Sequence, residues 1–192
     1  LLAYEMNGRP LEPAHGYPVR VVIPGYIGAR SIKWLGGISV QDQPSTNFAQ
    51  ARAYKRFPPG VSEATADWDH APMIYDFDLT AAICVPPDAA QVAAGPVNVQ
   101  GYALSGQGHT VARVEISADG GATWREARIE QQDGPWTWCF WQATVELAPG
   151  QHELCARAWD SAGATQPANL EDVWNFKGYM NNAWHRVKIE AS

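Results

Sequence analysis

The chain has 192 residues, of which 46% are apolar, so it can bury a core as one large domain or two small ones. Its net charge of −6 argues against general binding to nucleic acids or anionic membranes. No apolar run reaches the ~18 residues of a membrane span. The start, LLAYEMNG, lacks the basic segment and cleavage site of a signal peptide and an initiator methionine. We therefore expect the chain to be part of a longer protein.

Residues 1 to about 80 contain few periodic elements. PVRVVIPG is a β-branched run between prolines and a glycine, which predicts a short buried strand, and GGISVQ predicts a second. TNFAQARAYKRF contains helix-forming residues without a regular 3.6-residue period, and FPPG ends it. This half is unsuited to burying a core alone, so we expect it to be a fragment of a larger domain.

From about residue 82 the pattern changes to short segments with alternating apolar positions. Turn sequences such as SGQG, DGG and APGQ separate these segments, which indicates an antiparallel β-sandwich. CVPPDAAQVAAG is interpreted as a linker and first strand. ADGGATW predicts a tight hairpin in which Gly120 and Gly121 take positive φ. The predicted strands are VNVQGYAL, VARVEISAD, TWREARIEQ, WCFWQATVEL, HELCARAWD and AWHRVKIEA.

Cysteine, tryptophan and histidine residues are interpreted as structural. The three cysteines are widely spaced and odd in number, so we expect buried free thiols rather than a disulfide framework. The histidines lack metal-ligand spacing, and DWDH is expected to be a solvated loop. Five tryptophans fall within the sandwich pattern and are expected in its core or at an interface: Trp124, Trp136, Trp138, Trp141 and Trp159.

Four nitrogen-bearing side chains, His15, Arg20, Arg30 and Lys33, lie within 19 residues around the first predicted strand. Arg30 and Lys33 follow the glycine turn GYIG, where backbone amides can also face an anion. The group suits a phosphate, such as that of a pyranopterin or a nucleotide. The residues alone leave a second interpretation open, in which they form a solvated basic edge and His15 is a satisfied turn residue.

Several multi-residue motifs, in order along nearly the whole chain, resemble the sulfite oxidase family of molybdopterin enzymes. The resemblance implies a mainly β fold: an immunoglobulin-like antiparallel β-sandwich at residues 83–192, preceded at residues 1–82 by a partial α+β molybdopterin-domain segment. The sandwich would be the dimerisation domain. The motifs are LLAYEMNGRPLEPAHGYPVRVVIPGYIGARSIKWLGGISV, YKRFPP, FDLTAAIC, GYALSGQGH, RVEISADGGATW, CARAWDSAGATQP and WNFKGYMNNAWHRV.

The resemblance also implies a cofactor site. In the family, the histidine of an HG-P-R motif, its arginine and the tripeptide before WL bind the molybdopterin. Arg30 is a supporting residue rather than a ligand. The molybdenum-ligating cysteine of the family lies upstream of these motifs, so we expect this chain to lack it and to be inactive alone. The matching positions here are His15, Arg20, Ser31, Ile32 and Lys33.

One position departs from the family pattern. The family extends an arginine toward the substrate anion from a WNLRG sequence, whereas this chain has WNFKG and thus Lys177. Lysine keeps the positive charge but loses the planar fork that suits an oxyanion. Lys177 is therefore a candidate substrate contact, with an ordinary surface lysine as the alternative.

The implied reaction is oxidation of sulfite to sulfate, with electrons passed to an external acceptor such as a cytochrome. Two alternatives remain. One is a nitrate reductase, which is disfavoured by the YKRFPP motif and by the absence of a downstream haem or flavin domain. The other is a non-catalytic dimerisation or binding module. We expect a homodimer, a small oxyanion substrate, no nucleic acid and no membrane span. Ten arginines against four lysines favour a bacterial source, with the compartment open between periplasm and cytoplasm and the periplasm preferred.

Overall fold

The chain folds mainly as β-strands, and the computed structural model describes all residues from 1 to 192. It divides into two units: residues 1–57 with 61–77, and residues 58–60 with 78–192. The boundary expected at residues 82 and 83 falls inside a strand, Thr80–Val85. No helix is both long and apolar enough to cross a bilayer.

The first unit is built from two-residue strands and short helical turns. Its strands pair antiparallel as β1 with β4 and β2 with β3. 3₁₀ turns cover Pro13–His15 and Gly28–Arg30, and a single π-helical turn covers Ala49–Ala53. The strands are β1 Leu2–Ala3, β2 Glu5–Met6, β3 Arg9–Pro10 and β4 Arg20–Val21.

Two strand predictions for this unit are wrong. The expected buried strand in PVRVVIPG is reduced to the two half-buried residues of β4. GGISVQ forms no strand, and its apolar side chains Ile38 and Val40 are 68% and 98% exposed. The β-branched pattern is a local preference, and the segment gains no ladder of hydrogen bonds because no strand lies beside it.

The second unit contains nine strands in two sheets, with the sheet order β10-β11-β7-β5 and β6-β13-β12-β8-β9. All pairs are antiparallel except β13 with β6. A 3₁₀ turn at Leu170–Asp172 lies between β12 and β13. The predicted mainly β sandwich is confirmed. The strands are β5 Thr80–Val85, β6 Gln91–Val92, β7 Gly95–Leu104, β8 Val111–Ser117, β9 Arg125–Glu126, β10 Arg128–Gln131, β11 Cys139–Leu147, β12 Gly150–Asp160 and β13 His185–Ala191.

The core lies between the two sheets and is formed by every second residue of the long strands. Trp141 on β11 is 1% exposed, and Gly101 lies opposite it on β7. A Cβ atom at Gly101 would overlap the Trp141 indole and the carbonyl oxygen of Ala82, so this close approach requires glycine. Other fully buried side chains include Val99, Val114, Ile116, Leu154 and Val187.

The predicted strand TWREARIEQ is divided between the two sheets. β9 pairs with β8, and β10 pairs with β11. Ala127 lies between them, is 5% exposed and donates its backbone N–H to Val114 O at 2.9 Å. The chain therefore passes from one sheet to the other at this alanine. The preceding hairpin is as predicted, because Gly120 and Gly121 have φ of 71° and 100°.

The expectation of three buried thiols is correct for Cys139 and Cys155 and wrong for Cys84. The register of β5 against β7 shifts between Ile83 and Val85, and Cys84 lies exposed at this bulge. Burial raises the pKa of the Cys155 thiol to about 11. Cys84 is therefore the accessible thiol of the three.

Candidate functional site

Strand β4 brings two separate basic segments together. Val21 donates its backbone N–H to Ile32 O at 2.8 Å, and Leu35 donates to Val19 O at 2.9 Å. The hydroxyl of Ser31 accepts the N–H of Ile23 at 3.2 Å. Residues 31–35 therefore run antiparallel beside residues 19–23.

The turn that carries His15 packs against the same two segments. Its 3₁₀ turn ends at Gly16, whose φ is 107°. A Cβ atom at Gly16 would lie 3.0 Å from Lys33 Cβ and 3.1 Å from Arg20 Cβ. Only glycine combines this backbone conformation with this contact. The structure thus brings together His15, Arg20, Ser31, Ile32 and Lys33.

Hydrogen bonds to backbone oxygens fix both cations of the group. Arg20 donates Nη1 to His15 O at 3.1 Å and Nη2 to Ser31 O at 3.4 Å. Lys33 donates Nζ to Ala14 O at 3.0 Å and lies 4.7 Å from the centre of the Trp34 ring. These bonds hold the charges in place without neutralising them.

One polar atom of the group is left without a partner. Arg20 Nε is buried and makes no hydrogen bond, which is costly unless an acceptor is supplied. The carboxylate of Glu12 lies 3.9 Å from His15 Nδ1. Two fixed cations and a buried donor fit the phosphate of a molybdopterin, so the residues present suit that cofactor.

Arg30 has a different position from the other basic residues. Its Nε and Nη2 both donate to Ile74 O, at 2.9 and 2.7 Å, and its guanidinium lies 4.7 Å from the Tyr75 ring centre. These contacts tie the turn at residues 28–30 to residues 74–75. Arg30 therefore links these two parts of the first unit, and its supporting role at the cofactor site stays a prediction.

Lys177 belongs to the second unit, in the loop between β12 and β13. Its side chain is half-buried, and its backbone N–H donates to Asn175 Oδ1 at 2.9 Å. Asn175 is 4% exposed, so the loop is anchored at this residue. The substrate contact assigned to Lys177 stays a prediction.

A cation–aromatic cluster that the sequence analysis missed lies on the outer face of the five-stranded sheet. Arg157 lies 3.8 Å from the Trp124 ring centre and 4.7 Å from that of Trp159. Its Nε and Nη2 donate to Glu115 Oε2 at 2.9 and 2.7 Å. The signal was present as alternation of Arg and Glu, or Arg and Trp, at a spacing of two on β8 and β12. Sequence spacing alone, however, does not show which strands are neighbours.

Comparisons with known proteins agree with this architecture. Residues 71–192 match the family model described as the Mo-co oxidoreductase dimerisation domain, and residues 1–49 match the oxidoreductase molybdopterin binding domain. Human mitochondrial sulfite oxidase is 44% identical over 198 residues, covering 100% of this chain and 36% of that protein. Sulfite oxidase of Arabidopsis thaliana is 43% identical, covering 98% of this chain and 51% of that protein.

Two further relatives widen the comparison. Nitrate reductase [NAD(P)H] of Hordeum vulgare is 40% identical over 210 residues, covering 100% of this chain and 23% of that protein. The crystal structure of the sulfane dehydrogenase SoxCD from Paracoccus pantotrophus superposes with a TM-score of 0.81 at 26% identity, covering 100% of this chain and 51% of that one. The chain spans about a third to a half of the sulfite oxidases that it matches. Because its whole length agrees with these proteins, the chain belongs to the sulfite oxidase family of molybdenum cofactor oxidoreductases.

Proposed function

We propose that this chain is part of a molybdenum-dependent enzyme that oxidises sulfite to sulfate and passes two electrons to an external acceptor such as a cytochrome. The observation that carries the proposal is the 44% identity to a sulfite oxidase over the whole chain. In the overall reaction, sulfite and water give sulfate, two protons and two electrons. The protein that carries this chain would supply the ligand cysteine from outside residues 1–192.

Within this proposal, residues 1–82 complete the cofactor domain, and His15, Arg20, Ser31, Ile32 and Lys33 hold the molybdopterin. When bound, the molybdenum centre supplies the two-electron redox chemistry. Arg20 offers a buried, unpaired Nε, and Lys33 offers an ammonium fixed on Ala14 O. Charge-assisted hydrogen bonds from both would neutralise the phosphate and orient the pterin. Ile32 would contribute through its backbone, which is indifferent to its side chain.

Lys177 is the proposed contact to the substrate oxyanion. An ammonium attracts sulfite as a point charge, but it orients the anion less well than a guanidinium does. We therefore expect Lys177 to attract the substrate anion by its charge but to select less strictly for the geometry of that anion. This position distinguishes the chain from the arginine pattern of its family.

Residues 83–192 are proposed to form the dimerisation domain of a homodimer. The description of the matching family model supports this assignment. Two-fold pairing is the commonest closed symmetry of soluble oligomers, so a dimer with one self-complementary surface is expected.

The ratio of ten arginines to four lysines supports a bacterial source.

A nitrate reductase is the second candidate, favoured by the 40% identity to the barley enzyme over the whole chain. Steady-state kinetics distinguishes the two candidate activities. The whole protein that carries this chain is assayed with sulfite and an electron acceptor, and separately with nitrate and an electron donor. Sulfite turnover without nitrate turnover supports the first proposal. Nitrate turnover alone replaces it. A molybdenum-loaded protein that turns over neither substrate would leave the role of a binding or dimerisation module.

A further inference from the structure

The loop between β12 and β13, which carries Lys177, has little regular structure of its own. It covers residues 161–184, and its one helical turn is the 3₁₀ turn at Leu170–Asp172. A connection of this length keeps a side chain in one place only where other groups anchor its backbone. The anchors of the loop therefore decide where the ammonium group of Lys177 lies.

Two short segments of this loop pair with each other, one on each side of Lys177 in the sequence. Trp184 donates its backbone N–H to Pro167 O at 3.0 Å and its indole Nε1 to Gln166 O at 3.1 Å. The chain between the two segments is closed into a smaller loop by these bonds. We name the paired segments the loop stem: residues 166–167 and 182–184.

The side chain of Gln166 joins the loop stem to the five-stranded sheet. Gln166 is 3% exposed, and its Oε1 accepts the backbone N–H of Ala158 on β12 at 3.0 Å. Its Nε2 donates to Asn182 O at 3.0 Å and to Ala183 O at 3.4 Å. One buried amide thus uses both its acceptor and its donor group to hold the two halves of the stem on β12.

Lys177 itself lies in a tight turn. Asn175, which is 4% exposed, accepts the N–H of Lys177 through Oδ1 at 2.9 Å and the N–H of Gly178 through its backbone oxygen at 2.7 Å. Gly178 has a φ of 75°, which glycine adopts without strain. Because these bonds lie within the turn, the turn keeps its shape when the stem shifts, and the ammonium group is displaced with it.

We infer that Gln166 is a positioning residue for the substrate contact of Lys177, because its amide fixes the stem on which the Lys177 turn stands. The inference rests on the proposed function and names a further residue that this function needs. Without the amide, the buried N–H of Ala158 and the carbonyl groups of Asn182 and Ala183 lose their partner, so the stem must rearrange to satisfy them. The ammonium group would then spend less time where the oxyanion binds.

This role is distinguished from a merely structural one by kinetics. A buried glutamine that bonds the backbone stabilises the fold wherever it lies, so a lower melting temperature alone does not decide. Gln132 is the matched control, since its Oε1 accepts the N–H of Val111 at 2.8 Å and its Nε2 donates to Val111 O at 3.1 Å. It lies in the same unit and outside the loop stem.

The test measures sulfite kinetics of single and double variants of the whole protein that carries this chain. Gln166→Met should raise KM for sulfite about 10-fold and leave kcat within about 2-fold of the parent. Gln132→Met should leave both constants within about 2-fold. When Lys177→Met is already present, adding Gln166→Met should change KM by less than about 2-fold, because the charge that Gln166 positions is gone.

Gln166→Glu is the second variant. Its carboxylate keeps an acceptor for Ala158 but loses the donor to Asn182 O and Ala183 O, so it should raise KM as Gln166→Met does. Molybdenum content and circular dichroism identify the folded variants.

The outcomes separate the inference from the proposed function. If Lys177→Met raises KM, the inference alone is overturned by any of three results. These are folded Gln166 variants with the KM of the parent, an equal rise of KM with and without Lys177→Met, and failure of both Gln166 variants to fold. If Lys177→Met leaves KM unchanged, the substrate contact proposed for Lys177 is overturned together with the inference.

Discussion

Replacing Arg157 with methionine should destabilise the second unit by more than a typical surface substitution does. The side chain of Arg157 is only 22% exposed, and its partner Glu115 is 15% exposed. Methionine retains much of the apolar stem but removes two hydrogen bonds to the carboxylate and the stacking on Trp124 and Trp159.

The magnitude follows from these contacts. Losing a hydrogen-bonded partner from a partly buried carboxylate costs about 1.5–3 kcal/mol, and each cation–π contact contributes about 0.5–1 kcal/mol. Arg113 remains 3.3 Å from Glu115 and offsets part of the loss. We therefore expect Arg157→Met to lower the free energy of unfolding by about 2–4 kcal/mol. With a slope of ~2 kcal/mol/M, the urea midpoint falls by about 1–2 M.

Urea unfolding followed by tryptophan fluorescence measures this change. Arg157→Lys keeps the charge but not the bidentate geometry, and should lose about half as much. Arg113→Met is the matched control: its side chain is 43% exposed, so its loss should stay below about 1 kcal/mol. If the free energy of unfolding of Arg157→Met lies within about 0.5 kcal/mol of the parent value, the cluster does not stabilise the protein and the reasoning is refuted.

Three further results are expected. Arg20→Ala and Lys33→Ala should each lower molybdopterin occupancy, by about 10- to 150-fold in affinity for a lost charge-assisted bond, and unchanged molybdenum and pterin contents would contradict this. Lys177→Met should raise KM for sulfite, and less so at high ionic strength, whereas Lys177→Arg should retain activity; kinetics equal to the parent would make Lys177 an ordinary lysine. A thiol reagent at pH 8 should label Cys84 and leave Cys155 unlabelled until denaturation, because burial raises the pKa of Cys155 to about 11. Rapid labelling of Cys155 in the native state would refute its burial.

The sandwich could be predicted because its signals are local. Alternation with a period of two and turns at regular intervals identify strands without knowledge of their partners. The division of residues 123–131 between two sheets could not be predicted, because the alternation runs through Ala127 without interruption. Whether GGISVQ becomes a strand likewise depends on a neighbouring strand, which its own residues do not reveal.

The candidate site was predicted from family resemblance rather than from physical pattern. Basic side chains around a strand fit either a phosphate site or a solvated edge. The hydrogen bond from Val21 to Ile32, which brings the segments together, joins residues 11 positions apart. The Arg157 cluster was missed for the same reason, since 42 positions separate Arg157 from Glu115. Register between strands decides both groupings, and sequence periodicity does not specify register.

On the five-stranded sheet, Arg157 and Glu115 satisfy each other, so this face contributes to stability and leaves few groups for a partner. Arg157→Met should reduce the stability of the monomer and leave the dimer dissociation constant unchanged.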